Sequence, residues 1–419
     1  MIERFVDLLI IGAGPAGLAA AIAARENGID SLLVVEREDE PGGILRQCIH
    51  NGFGLHRFNE ELTGPEYAKR DIDRAAALGI PIECATTVLS VSTDRTALCI
   101  SSSVGLQLIH AGAVILAMGC RERPRGALSI PGTRCAGIYS AGTAQRFVNL
   151  EGYMPGRRIV ILGSGDIGLI MARRMTLQGA RVLACVEIMP YSSGLNRNIV
   201  QCLEDYGIPL FLSYTVTDIR GLDRLEGLTV SKVDENRKPI PGTQIDFECD
   251  TLLLSCGLIP ENELSAGAGV ELSPVTSGAV VDDTYATSVP GIFACGNVLH
   301  VHDLVDHVSG ESFLAGAAAA AYIRSGMTEA TYLTVRDGDG VRGCVPQKIR
   351  TNPMLPVRLM FRPSGVYRGC SVVVESGAKE LYRKKTLILT PGEMADITID
   401  PDILRNVPEN MLTVRIERN

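Results

Sequence analysis

The stretch Asp7-Leu-Leu-Ile-Ile-Gly-Ala-Gly-Pro-Ala-Gly17 decides the fold of this chain. Its apolar run predicts a buried strand that leads into a Gly-x-Gly-x-x-Gly turn, and the Ala-rich residues up to Gly28 predict a helix. Ser31-Leu-Leu-Val-Val-Glu36 then predicts a second strand that ends in an acid. This order is typical of a dinucleotide-binding βαβ unit, in which the glycines bring the backbone and a helix N-terminus close to a pyrophosphate and the acid binds a ribose.

The same arrangement occurs a second time. Arg158-Ile-Val-Ile-Leu-Gly-Ser-Gly-Asp-Ile-Gly168 is followed by a helical stretch to Gly179 and by Arg181-Val-Leu-Ala-Cys-Val-Glu187. In both copies 16 residues separate the first glycine from the glycine that ends the helix, and 24 separate it from the acid. A single motif of this kind also occurs as a tight turn in other α/β proteins, whereas two copies in register predict two nucleotide sites.

The residues that follow each acid favour different nucleotides. Pro41-Gly42-Gly43 offers a second close approach of backbone, as an extended ligand such as FAD requires, so FAD is assigned to the first copy. Ile188 and Met189 follow the second acid and include no arginine to receive a 2′-phosphate, so NAD is preferred to NADP there. Arg197 could still fold back toward that position.

Composition limits the other classes of function. The 419 residues predict two or three domains, and a net charge of −8 with a pI near 5.4 argues against a nucleic-acid-binding surface. The apolar runs at Val6–Ile11 and Leu314–Ile323 are too short for a signal peptide or a membrane span, which predicts a cytoplasmic protein. Twelve cysteines occur without any Cys-x-x-Cys spacing, which argues against a zinc ribbon or a thioredoxin-like motif.

Three further segments carry a family resemblance. They are Val114-Ile-Leu-Ala-Met-Gly119, Asp250-Thr-Leu-Leu-Leu-Ser-Cys-Gly-Leu-Ile-Pro-Glu-Asn262 and Thr287-Ser-Val-Pro-Gly-Ile-Phe-Ala-Cys-Gly-Asn297. Together with the two glycine motifs, they make residues 5–325 resemble the pyridine-nucleotide-dependent flavoprotein oxidoreductases with two dinucleotide-binding domains. The resemblance implies an α/β fold with two Rossmann-like domains, one for FAD and one for NAD, and electron transfer between the two cofactors.

Two segments are similar to one branch of that family, Gly42-Gly-Ile-Leu-Arg-Gln-Cys-Ile-His-Asn-Gly-Phe-Gly54 and Gly119-Cys-Arg-Glu-Arg-Pro124. The branch includes the FAD/NAD subunits of opine oxidase, hydrogen cyanide synthase, L-proline dehydrogenase and sarcosine oxidase, and flavoproteins that accompany anaerobic glycerol-3-phosphate dehydrogenase. The resemblance implies an oligomer with a partner flavoprotein or dehydrogenase subunit. In one departure from the family, Asn297 stands where Asp is usual. In another, Cys48 and Cys135 each stand alone, which disfavours a redox disulfide.

The motifs and the resemblance together name the cofactor-binding residues. For FAD they are Gly12, Gly14, Pro15, Ala16, Gly17, Glu36, Arg37, Gly43, Val88, Ala117, Met118, Gly119, Gly296 and Asn297. For NAD they are Gly163, Gly165, Asp166, Ile167, Gly168, Glu187 and Gly257.

No general base stands out, and hydride transfer between nicotinamide and flavin needs none. Cys48, His50 and Asn51 are expected near the flavin; Cys48 could instead fill space, and His50 or Asn51 could cap a turn. Arg121 and Arg123 could bind an anion or lie solvated at the surface. The spacing of His300, His302 and His307 does not fit one helical face, and no metal site is predicted.

The sequence predicts three domains. Residues 1–120 and 286–334 form the FAD domain, residues 121–285 form the NAD domain, and residues 335–419 form a small antiparallel β-sandwich that could dock a partner subunit or merely cover apolar surface. The function predicted is an FAD-dependent, NAD(H)-linked oxidoreductase acting as one subunit of a dehydrogenase or oxidase complex. The alternatives are a stand-alone dehydrogenase of a small hydroxy- or amino-compound such as glycerol 3-phosphate, proline, sarcosine or an opine, and a non-catalytic assembly subunit with structural nucleotides.

Overall fold

A computed structural model of the chain describes residues 2–326, 330–405 and 407–418. The residues group into two compact units, one made of residues 1–120 and 260–419 and the other of residues 121–259. No helix within the described ranges is long and apolar enough to cross a membrane.

The first unit begins with a sheet in the order β5-β2-β1-β8-β7-β6. Its central strands β1, β2 and β8 are parallel, with Leu8 opposite Leu32 and Ile10 opposite Ile115. Their paired segments, residues 8–11, 32–35 and 113–116, are continuous buried apolar runs, as is typical of a parallel sheet that is covered on both faces. The elements here are β1 (Ile2–Ile11), α1 (Pro15–Glu26), β2 (Leu32–Val35), β3 (Asn51–Phe53), β4 (Leu62–Thr63), α2 (Gly64–Ala77), β5 (Ile82–Glu83), β6 (Thr86–Val91), β7 (Thr96–Ser101), β8 (Gly105–Leu116) and β9 (Cys120–Glu122).

The second unit contains a parallel sheet in the order β10-β17-β11-β12-β13 and an antiparallel sheet β14-β15-β16. A short pair, β9 with β18, joins the strands at the boundary. The elements are α3 (Arg125–Leu128), β10 (Ile138–Ser140), α4 (Ala141–Arg146), β11 (Arg158–Leu162), α5 (Asp166–Leu177), β12 (Arg181–Glu187), α6 (Asn196–Cys202), β13 (Leu210–Leu212), β14 (Tyr214–Arg220), β15 (Gly227–Lys232), β16 (Ile245–Phe247), β17 (Thr251–Leu254) and β18 (Leu258–Pro260).

The chain returns to the first unit at residue 260, so the predicted boundary at residue 285 is wrong. The Asn262 side-chain amide donates to the carbonyl oxygens of Ser277 and Val298, both at 2.8 Å, and Ala268 and Val281 are buried in the core that contains β1 and β8. These contacts are long-range, and the sequence pattern alone does not reveal them. The elements are α7 (Glu263–Gly267), β19 (Ile292–Ala294), which pairs with β8, and α8 (Val305–Ser325).

The tail consists of two sheets, β22-β20-β27-β24-β25 and β21-β23-β26, which share one apolar core and form the predicted small sandwich. It begins at Tyr332, and β20 and β27 are parallel, so the expectation of a purely antiparallel sandwich is wrong. The elements are β20 (Tyr332–Asp337), β21 (Val341–Val345), β22 (Lys348–Arg350), β23 (Val357–Pro363), β24 (Tyr367–Ser376), β25 (Lys379–Leu389), β26 (Ala395–Ile399), α9 (Pro401–Leu404) and β27 (Met411–Arg418).

The tail does not form a compact unit of its own, contrary to the three-domain prediction. The Arg350 guanidinium contacts both carboxylate oxygens of the buried Asp283, with Nη2 at 2.8 Å from Oδ2. Arg362 pairs with Asp303 at 2.6 Å, and Val345 belongs to the core of the first unit. A partly buried ion pair and shared apolar contacts therefore anchor the sandwich to the nucleotide-binding part of its unit.

Candidate nucleotide-binding sites

The first glycine turn lies between β1 and α1, in the first unit. The Gly12 amide donates to the Val35 carbonyl oxygen at 2.8 Å, which ties the turn to the end of β2. Gly12 has a φ of 104°, and a methyl group there would lie 2.6 Å from the carbonyl oxygen of Ala117. A methyl group at Gly17 would lie 1.8 Å from the carbonyl oxygen of Gly12, so the first and third glycines are required by the protein itself.

The second turn, between β11 and α5, repeats this construction in the second unit. The Gly163 amide donates to the Val186 carbonyl oxygen at 2.7 Å, and Gly163 has a φ of 98°. A methyl group at Gly163 would lie 2.0 Å from the Ser255 carbonyl oxygen, and one at Gly168 would lie 2.8 Å from the Gly163 carbonyl oxygen. The repeat detected in the sequence is therefore a repeat of backbone geometry.

The middle glycines, Gly14 and Gly165, meet no such obstacle. A methyl group at Gly14 would find its nearest atom at 3.9 Å, and one at Gly165 would find its nearest at 3.6 Å. Each glycine is also the N-cap of its helix and has no side chain of its own to cap the amides, although in α5 the Ser255 hydroxyl accepts from the Gly168 amide at 3.0 Å. The open space at each helix N-terminus fits a pyrophosphate, which is the ligand that a second glycine accommodates.

The two acids also occupy equivalent positions. Glu36 Oε2 accepts from the Ala13 amide at 2.8 Å, and Glu187 Oε2 accepts from the Ser164 amide at 2.9 Å. The other oxygen of each carboxylate accepts from the amide two residues further along, at 2.9 Å in both copies. Both side chains are buried, and these bonds hold each carboxylate at the edge of its glycine turn, where a ribose is bound in this type of unit.

Two further backbone segments converge on the first turn. The Gly42 amide donates to the Ala13 carbonyl oxygen at 2.8 Å, and a methyl group at Gly43 would lie 2.9 Å from Gly14 Cα. Gly296 packs so closely on Ala16 that a methyl group would lie 2.6 Å from the Ala16 methyl. The predicted FAD segments around residues 12–17, 42–43 and 296 are thus brought together.

Asn297 is already engaged by protein groups. Its Oδ1 accepts from the His302 backbone amide at 3.0 Å and lies 3.2 Å from His302 Nδ1, and its Nδ2 donates to Cys120 Sγ at 3.6 Å. The side chain that replaces the family's Asp therefore holds the loop that follows β19. Its predicted contact with the ribityl chain remains a prediction.

Cys48 lies at the end of a short helical turn, Gly43–Gln47. Its thiol donates to the Ile44 carbonyl oxygen at 3.3 Å, and desolvation raises the pKa of the thiol to about 12. The Asn51 carbonyl oxygen lies 3.0 Å from His50 Nδ1, and Asn51 is exposed at the start of β3. Cys48 is therefore a protonated thiol at neutral pH, a state that does not suit a nucleophile or a relay.

The remaining predicted residues have varied surroundings. Arg37, which is largely exposed, pairs with Glu261 at 3.2 Å, and Val88 pairs with Cys99 between β6 and β7. Asp166 Oδ1 accepts from the Leu195 amide at 2.9 Å, which leaves its role toward NAD a prediction. Gly119 and Gly257 have positive φ with open space around them. Ala117 and Met118 follow β8 directly. Pro15 starts α1, and Ile167 lies in the first turn of α5.

A cluster that the sequence analysis missed lies behind the Gly296 turn. Glu311 of α8 accepts from the Gly296 amide at 2.7 Å and lies 2.7 Å from His300 Nε2 and 3.4 Å from His302 Nε2. All three side chains are buried. With His300 and His302, Glu311 provides a set of donor atoms that could hold a metal ion, and the absence of a metal site stays a prediction. Glu311 stands among small and apolar residues in the middle of α8, which is the signal that could have identified it.

Comparison with known proteins agrees with this geometry. Residues 6–321 match the family described as pyridine nucleotide-disulphide oxidoreductase. The chain belongs to this family. As a member, it is an FAD-dependent pyridine nucleotide oxidoreductase, and the family implies binding sites for FAD and NAD(P). All twelve cysteines lie within the described residues, and none of them forms a disulfide.

Curated relatives of this family member include components of multi-subunit enzymes. It is 27% identical to one of the subunits of opine oxidase from Agrobacterium tumefaciens (strain Ach5), over 71% of this chain and 62% of that one. It is 26% identical to the HcnB subunit of hydrogen cyanide synthase from Pseudomonas protegens, over 70% of this chain and 64% of that one. The chain thus spans about three fifths of the length of these relatives.

The family member also resembles solved structures. The whole length of a thioredoxin reductase from T. acidophilum aligns with 77% of this chain, with 25% identity and a TM-score of 0.64. L-Proline dehydrogenase of P. horikoshii shares the fold over 77% of this chain and 55% of its own, with a TM-score of 0.52 and 19% identity. The family match ends at residue 321, so the C-terminal sandwich lies outside it. The thioredoxin reductase likewise leaves about a quarter of this chain unmatched.

Proposed function

We propose that this chain binds FAD in its first unit and NAD(H) in its second, and transfers hydride between them as the FAD/NAD subunit of a larger dehydrogenase or oxidase. The observation that carries the proposal is the repeated cradle: two glycine turns, two helix N-termini with glycine at the N-cap and two buried carboxylates that accept from equivalent backbone amides. A chain with one nucleotide site has no need of the second construction.

The assignment of FAD to the first cradle rests on its additional backbone contacts. FAD is longer than the AMP half that one glycine turn accommodates, so it needs further close approaches of backbone. Gly43 and Gly296 provide them next to Gly14 and Ala16. In the second unit, the segment after Glu187 instead places Ser192 and Ser193 against Ser164, with the Ser192 hydroxyl donating to the Ser164 carbonyl oxygen at 3.1 Å.

The preference for NAD over NADP rests on Glu187. Its buried carboxylate stands where the 2′ position of the ribose is expected, so it accepts hydrogen bonds from hydroxyl groups and repels a 2′-phosphate. Arg197, the cation that could offset this charge, is exposed at the surface, in the first turn of α6. These surroundings support NAD(H) as the second ligand.

The protein's part in the reaction is to bind and orient. When bound, FAD supplies a ring that accepts hydride from a reduced nicotinamide. The glycine turns fix both pyrophosphates, the carboxylates fix the two riboses, and no side chain has to take a proton during the transfer. The protonated Cys48 thiol is consistent with a direct transfer that involves no thiol pair.

The role as a subunit is supported by the relatives and by the surface of the tail. The opine oxidase relative and HcnB are both named as subunits of their enzymes. In this chain the edge strand β25 exposes 90% of Leu387, and the β22–β23 loop, which follows the strand at the opposite edge of the sheet, exposes 86% of Met354. Apolar side chains at an open sheet edge favour docking of another chain.

Anaerobic titration of the purified flavoprotein with NADH tests the proposal directly. We expect NADH to bleach the oxidised flavin band, and we expect Gly165→Ala to retain its flavin but need much more NADH, because the added methyl group meets open space in the protein and the pyrophosphate of the ligand. A wild-type protein that holds FAD and is bleached neither by NADH nor by NADPH would rule the proposal out. Bleaching by a hydroxy- or amino-compound alone would favour a stand-alone dehydrogenase instead.

A further inference from the structure

Three buried side chains meet behind the turn that follows β19. His300 and His302 lie in the loop after the short helical turn Gly296–Val298, and Glu311 lies in α8. The two imidazole rings are 4.1 Å apart between centroids. One donor atom of each residue, two ring nitrogens and one carboxylate oxygen, lies within 4.8 Å of the others. Neither histidine is more than 8% exposed and Glu311 is 3% exposed, so water has little access to the cluster.

The orientation of His302 directs a bare nitrogen into the cluster. Its Nδ1 lies 3.2 Å from Asn297 Oδ1, an atom that can only accept, so Nδ1 carries the proton. Nε2 then presents its lone pair toward Glu311 Oε2 at 3.4 Å, and this atom has no hydrogen-bond partner among the described residues. A histidine whose second nitrogen is fixed by an oxygen acceptor is the usual arrangement of a histidine that binds metal.

The two oxygens of the Glu311 carboxylate have different neighbours. Glu311 Oε1 accepts from the Gly296 amide at 2.7 Å, which fixes the side chain and leaves Oε2 facing both imidazoles.

The His302 Nε2 lone pair lacks a partner within the described part of the chain, and a buried polar atom without one is costly. A neutral His302 would direct a lone pair at a carboxylate oxygen in a site without water, and an unpaired buried polar group of this kind is costly. A cation between the three donor atoms removes the repulsion and compensates the carboxylate. A second proton on His302 is the competing arrangement, and the two differ in a quantity that can be measured, the metal content.

We propose that His300 Nε2, His302 Nε2 and Glu311 Oε2 bind one divalent transition-metal ion, with zinc as the first candidate. Two imidazole nitrogens and one carboxylate oxygen are a ligand set that zinc accepts, and ions of this group prefer nitrogen to purely oxygen donors. The proton that His300 Nε2 shares with Glu311 moves to Nδ1 of the same ring when the metal binds, so the ring stays neutral. The ion would hold the Gly296–His302 loop against α8, a structural role distinct from hydride transfer.

Metal analysis of the full-length flavoprotein, purified without chelators, tests the site. We expect about one zinc ion per chain in the wild type. We expect His302→Gln and Glu311→Gln to lower this by roughly tenfold or more. His307→Gln is the matched control, because it removes an imidazole from the same segment but outside the cluster, and it should keep the metal. Equal loss in His307→Gln would show that the ion is bound elsewhere and would overturn the proposal.

A second measurement keeps the proposal testable if a variant fails to fold. Wild-type protein stripped of metal is titrated with Co²⁺, whose visible d–d bands report nitrogen and oxygen ligation, while the flavin content is followed in the same sample. One equivalent of Co²⁺ with such bands supports the site. Protein that keeps its flavin yet holds less than about a tenth of a metal ion per chain and shows no Co²⁺ bands would overturn the proposal and leave His302 as an imidazolium paired with Glu311.

Discussion

Gly14 and Gly17 are three residues apart, yet a methyl group would meet different surroundings at the two positions. At Gly17 it would lie 1.8 Å from the Gly12 carbonyl oxygen, and at Gly14 the nearest atom would be 3.9 Å away. The first position is therefore restricted by the fold, and the second is left open for a ligand.

We expect Gly17→Ala to lower the free energy of unfolding by roughly 1–3 kcal/mol, since the backbone of the turn must shift to admit the methyl group. Gly14→Ala should leave the unfolding free energy of the flavin-free protein within about 0.5 kcal/mol and still lose FAD affinity. Urea unfolding with parallel measurement of bound flavin checks both. A Gly14→Ala protein with normal flavin content would argue that the pyrophosphate does not pass this residue.

Glu187 tests the choice of nicotinamide cofactor. Glu187→Gln keeps one oxygen that can accept from the Ser164 amide, loses the acceptor of the Met189 amide and removes the charge that repels a 2′-phosphate. We expect NADH affinity to fall by about tenfold, because a charge-assisted bond to the ribose is lost, and the preference over NADPH to narrow. Rates of flavin reduction at varied concentrations of NADH and NADPH give the ratio of the two affinities. A wild-type protein that reacts faster with NADPH would contradict the assignment.

Cys48 should be dispensable for hydride transfer. With a pKa of about 12, its thiolate fraction at pH 8 is on the order of 10⁻⁴, and a serine hydroxyl can donate to the Ile44 carbonyl oxygen in its place. We expect Cys48→Ser to be reduced by NADH at a rate within about twofold of the wild type. Loss of most of the activity in a folded, flavin-loaded Cys48→Ser protein would restore a thiol to the mechanism.

At the scale of elements, the contact between α1 and α8 depends on small residues. A methyl group at Gly316 of α8 would lie 2.2 Å from the carbonyl oxygen of Ala20 in α1, so the two helices approach each other closely there. Gly310 lies in the same helix with open space around its Cα. Alanine substitutions at Gly316 and Gly310 therefore distinguish the effect of helix packing from the effect of helix propensity.

We therefore expect Gly316→Ala to lower the free energy of unfolding by about 1–3 kcal/mol, because α8 must move away from α1. Gly310→Ala should raise it by up to about 1 kcal/mol, since alanine favours a helix and no atom opposes the new methyl group. Thermal and urea unfolding of both variants show whether the free energy of unfolding rises or falls in each. Similar changes in both would show that the close approach does not limit packing.

The elements that the sequence predicts well are those whose signals are local. The turns at Gly12 and Gly163 and the strands before them form short patterns, and the structure repeats them with equivalent hydrogen bonds. The contacts that escape prediction join residues far apart in the chain. Glu311 meets His300 only because α8 runs back beneath the Gly296 turn, and residues 260–285 join the first unit through the core around Val281.

At the scale of the whole molecule, the tail is tied to its unit by Asp283 with Arg350 and by Asp303 with Arg362. Removal of residues 340–419 would therefore expose the part of the core that Val345 covers, and it would leave the Asp283 carboxylate, which is 3% exposed, without its partner. An unpaired carboxylate of this kind destabilises the remaining protein, so a deletion cannot separate docking from folding. A point change on the exposed edge can.

We expect Leu387→Asp to reduce the amount of a partner flavoprotein that co-purifies in fixed ratio with the tagged chain, because a charge replaces an apolar side chain that is 90% exposed. Flavin content and reduction by NADH should not change. Leu222→Asp, in the second unit and 86% exposed, is the matched control and should keep the partner. Equal recovery of the partner with both variants would place the docking surface elsewhere.

The position of β27 in its sheet has a consequence for how the molecule is made. Residues 411–418 lie between β20 and β24, so the strands on either side cannot be bridged until this segment has left the ribosome. The two glycine turns and their strands are synthesised much earlier in translation. They are therefore complete while the sandwich still lacks β27. Premature termination even a few codons before residue 411 would therefore release a chain whose sheet lacks its central strand, a product suited to degradation by proteases or to aggregation through open edges.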